Sequence, residues 1–334
     1  MTQSPSTTAG PIIDVDQLRV VLGNREILHD VSFSVQAGDI FGFIGPNGSG
    51  KTTTIRAMLG LYQPDSGTVT IAGSKAGTDP ARAATGFALD QDGLYGDLSA
   101  AENIAFFRDL YGCPRDPSEV TRILDQVGLA DRADDKVRMF SKGMRQRVAI
   151  ARAIAHDPQV IIMDEPTSGV DPVAQNQIHD LITDLVHSHG KTVLLSSHNL
   201  DEIQRLCNRI ALIAQGRILL TGDLAQLAAE AGANELTITA QAPIDDATAG
   251  ALRAIPELGM REVDGALVRL RPAASESVSD VVARLAAHGV EPENLTSNRA
   301  RLEQIFASTV QMAAQDVEQT RAPARGATRA VGRR

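Results

Sequence analysis

The sequence predicts an α/β fold built on a parallel core sheet, followed by a smaller α+β unit, and three observations point there. From Ile12 to about Gly222, short apolar runs alternate with amphipathic helical stretches, the pattern of strands and helices packed in layers. Within that span Ile40-Phe41-Gly42-Phe43-Ile44, Val160-Ile161-Ile162-Met163 and Thr192-Val193-Leu194-Leu195 are nearly continuous apolar runs, as expected of strands covered by helices on both faces. After Gly222 the composition turns Ala-rich and its apolar residues alternate, which marks a second unit.

Along the chain, residues 1–11 are Ser/Thr-rich, lack the basic start and apolar run of a secretory signal, and read as a disordered tail. Val31 to Val35 and Thr68 to Ile71 read as strands of an antiparallel β subdomain. Between Pro80 and His156 the pattern is mostly helical. Ser99 with Glu102 and Asp116 with Glu119 both have capping-box spacing, and Pro117 sits at a first helical position, so a helical lobe is expected as an insertion into the sheet domain. Asp171-Pro172 opens a helix that should run to about His189, with Gly190 as its stop. These elements make one domain, residues 12–225. Residues 230–313 then read as strand, helix, strand, strand, helix, strand: Leu236 to Ala240, Asp245 to Ile255, Arg261 to Val263, Ala266 to Leu270, Ser277 to Ala287 and Glu291 to Thr296. That order is the ferredoxin-like plan, which a helix from Arg301 to about Met312 would close. Residues 314–334 carry Arg321, Arg325, Arg329, Arg333 and Arg334 among few large apolar side chains and read as a disordered basic tail.

Composition removes several classes of function. A net charge of -9 and a pI near 5.3 argue against a nucleic-acid binder, which carries a basic stripe. No stretch approaches the roughly 18 apolar residues of a membrane-spanning helix. Cys113 and Cys207 stand far apart with no C-x-x-C spacing, which fits a reducing compartment and offers no zinc site. His187 and His189, two apart on a predicted helix, diverge and do not suggest a metal.

The chemistry gathers where the three apolar runs end. In a parallel sheet those ends share one edge, where ligands bind. Gly45-Pro46-Asn47-Gly48-Ser49-Gly50-Lys51-Thr52 fits G-x-x-x-x-G-K-[ST] between a predicted strand and a predicted helix, the Walker A cradle of a P-loop NTPase. Its glycines let backbone N–H groups turn inward around a phosphate, and the helix beginning with Lys51, Thr52 and Thr53 adds its positive end. Lys51 is expected on the β- and γ-phosphates of ATP, and the Thr52 hydroxyl on Mg²⁺. The second run ends in Asp164-Glu165. Buried carboxylates there are costly unless used: Asp164 is placed to hold Mg²⁺ through water, and Glu165 to take a proton from the attacking water.

With these motifs the chain resembles the ATPase subunits of ABC transporters. Phe140-Ser141-Lys142-Gly143-Met144-Arg145-Gln146-Arg147 is similar to the family signature, Ser168-Gly169-Val170-Asp171 to its D-loop, and Ser197-His198 to its switch histidine, all in family order. Ser141 is also well placed as an N-cap. The resemblance implies an ATPase that works as a head-to-tail pair, a homodimer or a pair with a similar chain. Ser141 and Gly143 of one subunit would face the γ-phosphate held by the other, Asp171 would approach nucleotide from the D-loop, and His198 would sense the γ-phosphate. The usual adenine-stacking aromatic is replaced by Leu22, and Lys142 and Met144 stand where the signature commonly has glycine and glutamine. The Mg²⁺-linking glutamine of the family falls on Asp90, or on Gln91 one residue later.

The signature and the C-terminal Leu302-Glu303-Gln304-Ile305-Phe306 are similar to the ATPase subunits of ABC-2 type exporters, a group with drug and antibiotic resistance pumps. The resemblance implies a separate transmembrane permease, docked near Asp90 to Asn103, and a cytoplasmic location on the inner face of the plasma membrane. The basic tail could touch that anionic surface. A soluble ABC ATPase acting on ribosomes or DNA is the other class, but the second ATPase unit or the long coiled coil that such members carry is missing from the sequence.

Overall fold

The computed structural model describes residues 10–89, 93–230, 236–273 and 276–297, together with 306, 308 and 309. Contacts divide the chain after Ala225 into two compact units.

The first unit begins with a hairpin of β1 (Ile13–Leu22) and β2 (Arg25–Val35). Ile13, Val15, Leu18 and Val20 are buried. The alternation of β1 slips between Val15 and Leu18, where the pairing register shifts and Gln17 takes φ +47°, as at a bulge. After β3 (Ile40–Ile44) and α1 (Lys51–Met58), β4 (Ser66–Ile71) joins β1 and the short β5 (Ser74–Lys75) joins β4, giving a four-stranded sheet of order β2-β1-β4-β5.

A short α2 (Asp79–Ala83) leads into β6 (Thr85–Ala88). The stretch from Pro80 to His156 is mostly helical, as expected, but this strand within it was not foreseen: Thr-Gly-Phe-Ala is too short and too mixed to register as an apolar run. The lobe that follows contains α3 (Ala100–Leu110), α4 (Pro117–Gln126) and α5 (Lys142–Ile154). Ser99 and Glu102 form the full reciprocal capping box on α3. Asp116 caps α4 at Ser118, but no reciprocal box forms there, because Glu119 is drawn to Arg122 at 2.8 Å.

The chain then returns through β7 (Val160–Asp164), α6 (Pro172–His187), β8 (Thr192–Ser197), α7 (Leu200–Leu206), β9 (Arg209–Ala214) and β10 (Arg217–Asp223). The six-stranded sheet has the order β10-β9-β3-β8-β7-β6. Its strands are parallel except for the antiparallel pair β9 and β10. β3, β7 and β8 are buried along their whole lengths, and Ile44 pairs with Ser197 while Asp164 pairs with Ser196. The ends of the three apolar runs therefore lie side by side. Phe33 of β2 stacks on Phe41 and Phe43 of β3, with ring centroids 5.6 and 5.1 Å apart. The two sheets and α1 thus share one core, in which each large apolar side chain contributes about 1.5–3 kcal/mol by leaving water.

The second unit follows α8 (Leu224–Glu230) with β11 (Leu236–Ala240), α9 (Asp246–Arg253), β12 (Met260–Asp264), β13 (Leu267–Leu270), α10 (Val278–Ala287) and β14 (Pro292–Ser297). The sheet order β12-β13-β11-β14, with every pairing antiparallel, is that of the ferredoxin-like plan. Leu252, Val281 and Leu285 of the two helices pack on Ile238, Val268 and Leu270 of the sheet. The expected tails, and all but residues 306, 308 and 309 of the expected closing helix, lie outside the described residues.

Candidate active site

Residues 45–50 leave β3 and enter α1 at Lys51, the strand, loop and helix context that the glycine spacing predicts. Gly48 and Gly50 take φ of +77° and +113°, conformations open to glycine and resisted by other residues. A Cβ on Gly45 would fall 2.2 Å from the Ile213 carbonyl oxygen. The loop is also braced from behind: Gly216 N–H donates to the Ser49 carbonyl at 2.8 Å, and His29 N–H donates to the Gly216 carbonyl at 2.8 Å.

Lys51 is almost fully buried. Its Nζ donates to the Gly45 carbonyl at 2.7 Å and the Pro46 carbonyl at 3.3 Å, and lies 3.4 Å from Glu165 Oε1. The ammonium thus occupies the mouth of its own loop, held by protein oxygens. The buried Ser49 hydroxyl has no hydrogen-bond partner among the described residues, so this loop retains a donor that an anion could use. Asn47 and Gly48 lie in the turn and Thr53 is half-buried in the first turn of α1.

Thr52 Oγ1 donates to Asp164 Oδ2 at 2.8 Å. Asp164, the last residue of β7, is buried, and its other oxygen accepts from Ser196 Oγ at 2.5 Å. Mg²⁺ takes hard oxygen ligands, and a hydroxyl beside a buried carboxylate is such a pair, so Thr52 and Asp164 fit the ion. Asp90 and Gln91 lie outside the described residues.

Glu165 turns away from the strand with φ +53°, its N–H bonded to Ser196 at both the carbonyl (3.2 Å) and Oγ (3.0 Å). Its Oε2 stands 2.6 Å from His198 Nδ1. A cation, a hydroxyl, two carboxylates and an imidazole therefore converge at the carboxyl ends of adjacent parallel strands. That set can bind a polyanion and can hold or move a proton beside it.

Ser141, Gly143 and Asp171 form a separate group. Ser141 is the N-cap of α5, its Oγ accepting from Met144 N–H at 3.2 Å. Asp171 is the N-cap of α6, accepting from Val173 and Ala174 N–H at 3.1 and 3.0 Å. The two helix starts meet at Gly143, where a Cβ would lie 2.6 Å from Ala174 Cβ and 3.3 Å from Val170 Cγ1. Among the described residues, no hydrogen bond or ion pair joins this group to residues 45–52.

Sequence reasoning missed Ser196, which donates to the Asp164 carboxylate and accepts from the Glu165 N–H, and Gly216, which braces the loop. The signal for Ser196 was the paired serine ending an otherwise apolar strand. For Gly216 it was a glycine after Gln215 at a hairpin turn, which does not announce its distant contact.

A family model described as "ABC transporter" matches residues 28–168. The chain is 32% identical over 302 residues to the linearmycin resistance ATP-binding protein LnrL of Bacillus subtilis, covering 88% of this chain and 97% of that protein. It is 38% identical over 222 residues to the Nod factor export ATP-binding protein I of Ralstonia nicotianae, covering 65% of this chain and 69% of that one. Among solved structures it is similar to an ATP-binding subunit of an ABC transporter, with TM-score 0.59 and 30% identity over 66% of this chain and 93% of that one. A dimeric ATP-binding cassette in a post-hydrolysis state with ADP and Pi is also similar, with TM-score 0.58 and 27% identity over 64% of this chain and 98% of that one.

Proposed function

Because this chain belongs to the ATP-binding proteins of ABC transporters, we propose that it closes over ATP as a head-to-tail dimer to drive export through a separate ABC-2 type permease. ATP binding, ATP hydrolysis and a role in energising transport come with the family. The substrate reading, a drug, an antibiotic or a lipid-like compound, rests on likeness to exporter subunits such as the linearmycin resistance protein.

The observation that carries the chemical reading is the Glu165 carboxylate, held between Lys51 and His198 beside the Thr52 and Asp164 oxygens. On this reading Lys51 exchanges its loop carbonyls for β- and γ-phosphate oxygens, while the backbone N–H groups from Asn47 onward wrap the β-phosphate. Thr52 and Asp164 would hold Mg²⁺, with Asp90 or Gln91 as a further oxygen, and the ion would supply positive charge against that developing on the phosphates. Glu165 accepts the proton of the attacking water, and His198 orients Glu165 and touches the γ-phosphate. Ser141 and Gly143 act on the nucleotide of the opposite subunit through the N-terminus of α5, a helix long enough to present a positive end. Asp171 fixes the loop that meets that subunit.

The permease docks beside the lobe, where Tyr95, Phe106 and Leu110 are exposed apolar side chains and Tyr95 meets Phe106 edge-on at 5.0 Å. A permease bound there would hold the subunit on the inner face of the plasma membrane, with the arginines of residues 314–334 available to anionic lipid. Among the described residues no helix is long and apolar enough to cross a membrane.

Glu165→Gln tests the reading. It should keep ATP binding, lower turnover by at least about 100-fold, as loss of a general base does, and accumulate an ATP-dependent dimer on size exclusion. Ser141→Arg should abolish that dimer while each monomer still binds ATP. Hydrolysis by Glu165→Gln at the parent's rate would remove Glu165 as the base.

A further inference from the structure

Among the described residues no hydrogen bond or ion pair joins Glu202 to the phosphate loop, yet it is tied to both halves of the proposed catalytic pair. It lies on α7 and is 5% exposed. Its Oε1 accepts from Thr167 Oγ1 at 2.5 Å, and its Oε2 accepts from Ser197 Oγ at 2.6 Å. His179 Nε2, from α6, stands 3.3 Å from Oε1. Thr167 lies two residues beyond Glu165, and Ser197 immediately precedes His198. Since Glu165 and His198 touch at 2.6 Å, the contacts close a ring that runs from Glu165 through Thr167, Glu202, Ser197 and His198 back to Glu165.

A carboxylate at this depth is costly unless its oxygens are satisfied. Burial would push the Glu202 carboxyl up, but hydrogen bonds from His179, Ser197 and Thr167 outweigh it and hold the group below its ordinary range. Its two oxygens accept from two different segments at once, Oε1 from Thr167 and Oε2 from Ser197. The same carboxylate also holds α6, whose N-cap Asp171 ends the 165–171 loop. Gln175 Nε2 fastens the far end of that loop, donating to the Val170 carbonyl at 2.9 Å.

We propose that Glu202 is a positioning residue for hydrolysis: it locks the 165–171 loop to the end of β8, so that Glu165 and His198 move as one unit. This rests on the reading of Glu165 as the base. A second copy pressing on the loop would then shift both groups together, coupling closure of the pair to the setting of the base.

The test uses the full chain and separates binding from turnover. Thr167→Val removes one tether at nearly constant volume, and Glu202→Ala removes both. Each should lower kcat at least about tenfold with the ATP Kd within about twofold of the parent. In a His198→Ala background each should cost less than about threefold more, because groups that act as a unit do not multiply. A merely structural role would instead lower the melting temperature and multiply with His198→Ala. The proposal is overturned if Thr167→Val keeps the parent's kcat, or if the losses multiply. If Glu165→Gln stops hydrolysis while Thr167→Val does nothing, only the role of Glu202 is lost. If Glu165→Gln hydrolyses normally, the reading beneath it fails.

Discussion

Gly86→Ala should be among the most destabilising single-methyl changes in the first unit. Gly86 lies in β6 against the end of α5, and a Cβ there would sit 1.9 Å from the Ala153 carbonyl oxygen, 2.8 Å from its carbon and 3.0 Å from Pro158 Cγ. Its φ is not positive, so alanine meets no backbone penalty and the whole cost is overlap. The obstacle is main chain, which cannot turn aside as a flexible side chain can. β6 is paired to β7 on its other side, and Arg108 NH1 anchors the end of α5 at the Ala155 carbonyl, 2.8 Å away. Strand and helix must part by about an ångström against those restraints. Overpacking costs about 1–3 kcal/mol, and a main-chain collision belongs at the upper end, about 3 kcal/mol. At roughly 2–4 °C per kcal/mol for a unit of this size, Tm should fall by about 6–12 °C. The chain has no tryptophan, so calorimetry or far-ultraviolet circular dichroism is the suitable assay. Gly190→Ala is the control: φ is +64° but no atom lies within 4 Å of the added Cβ, so only the left-handed conformation is charged, about 1–2 kcal/mol. A Gly86→Ala melt within 2 °C of the parent's would refute the steric argument.

Two further outcomes follow from buried titratable groups. His156 stacks on Tyr111 with ring centroids 3.7 Å apart, and burial pushes its imidazole down to about 4. Because the folded value lies below the unfolded one, the unfolded chain takes the proton first. Stability is therefore fully present above the unfolded pKa, about 6.5, and falls as pH drops from there toward 4. His156→Phe should flatten that part of the profile, and equal losses of urea midpoint in variant and parent between pH 7.5 and 5 would sink the assignment. Cys207 is buried, which pushes its thiol far up, whereas Cys113 is partly exposed. A thiol reagent should modify Cys113 alone in the native protein and both cysteines after unfolding, and rapid native labelling of Cys207 would contradict the packing of α7 on β3.

The elements that sequence reasoning located are those whose signal is local. A glycine spacing, a strand ending in carboxylates, and serine or aspartate ahead of an amphipathic run each declare themselves within about ten residues, which is why Lys51, Asp164, Ser141 and Asp171 were legible. β6 was not, because its strand character comes from pairing with β7 rather than from its own four residues. Glu119 was misassigned to a capping box because spacing alone does not weigh the competing guanidinium of Arg122 three residues on. Gly216 and Glu202 were hidden for a different reason. Each acts across a separation in the chain, Gly216 on Ser49 and His29, Glu202 on Thr167, and nothing nearby in sequence marks the partner.

Glu165 shows how the legible and the hidden parts depend on each other. A glutamate at φ +53° carries a backbone cost of roughly 1–3 kcal/mol, so the surrounding structure must hold it there. Straight continuation of β7 would send the next side chain to the opposite face from Asp164. The left-handed turn instead brings Glu165 within reach of Lys51 and His198. Two bonds from Ser196 to its N–H offset part of the cost at the residue itself. Thr167, held by Glu202, secures the chain two residues later. The adjacent carboxylates readable in the sequence become a usable pair only through this turn, and the turn is held by residues on β8 and α7 that the motif does not contain.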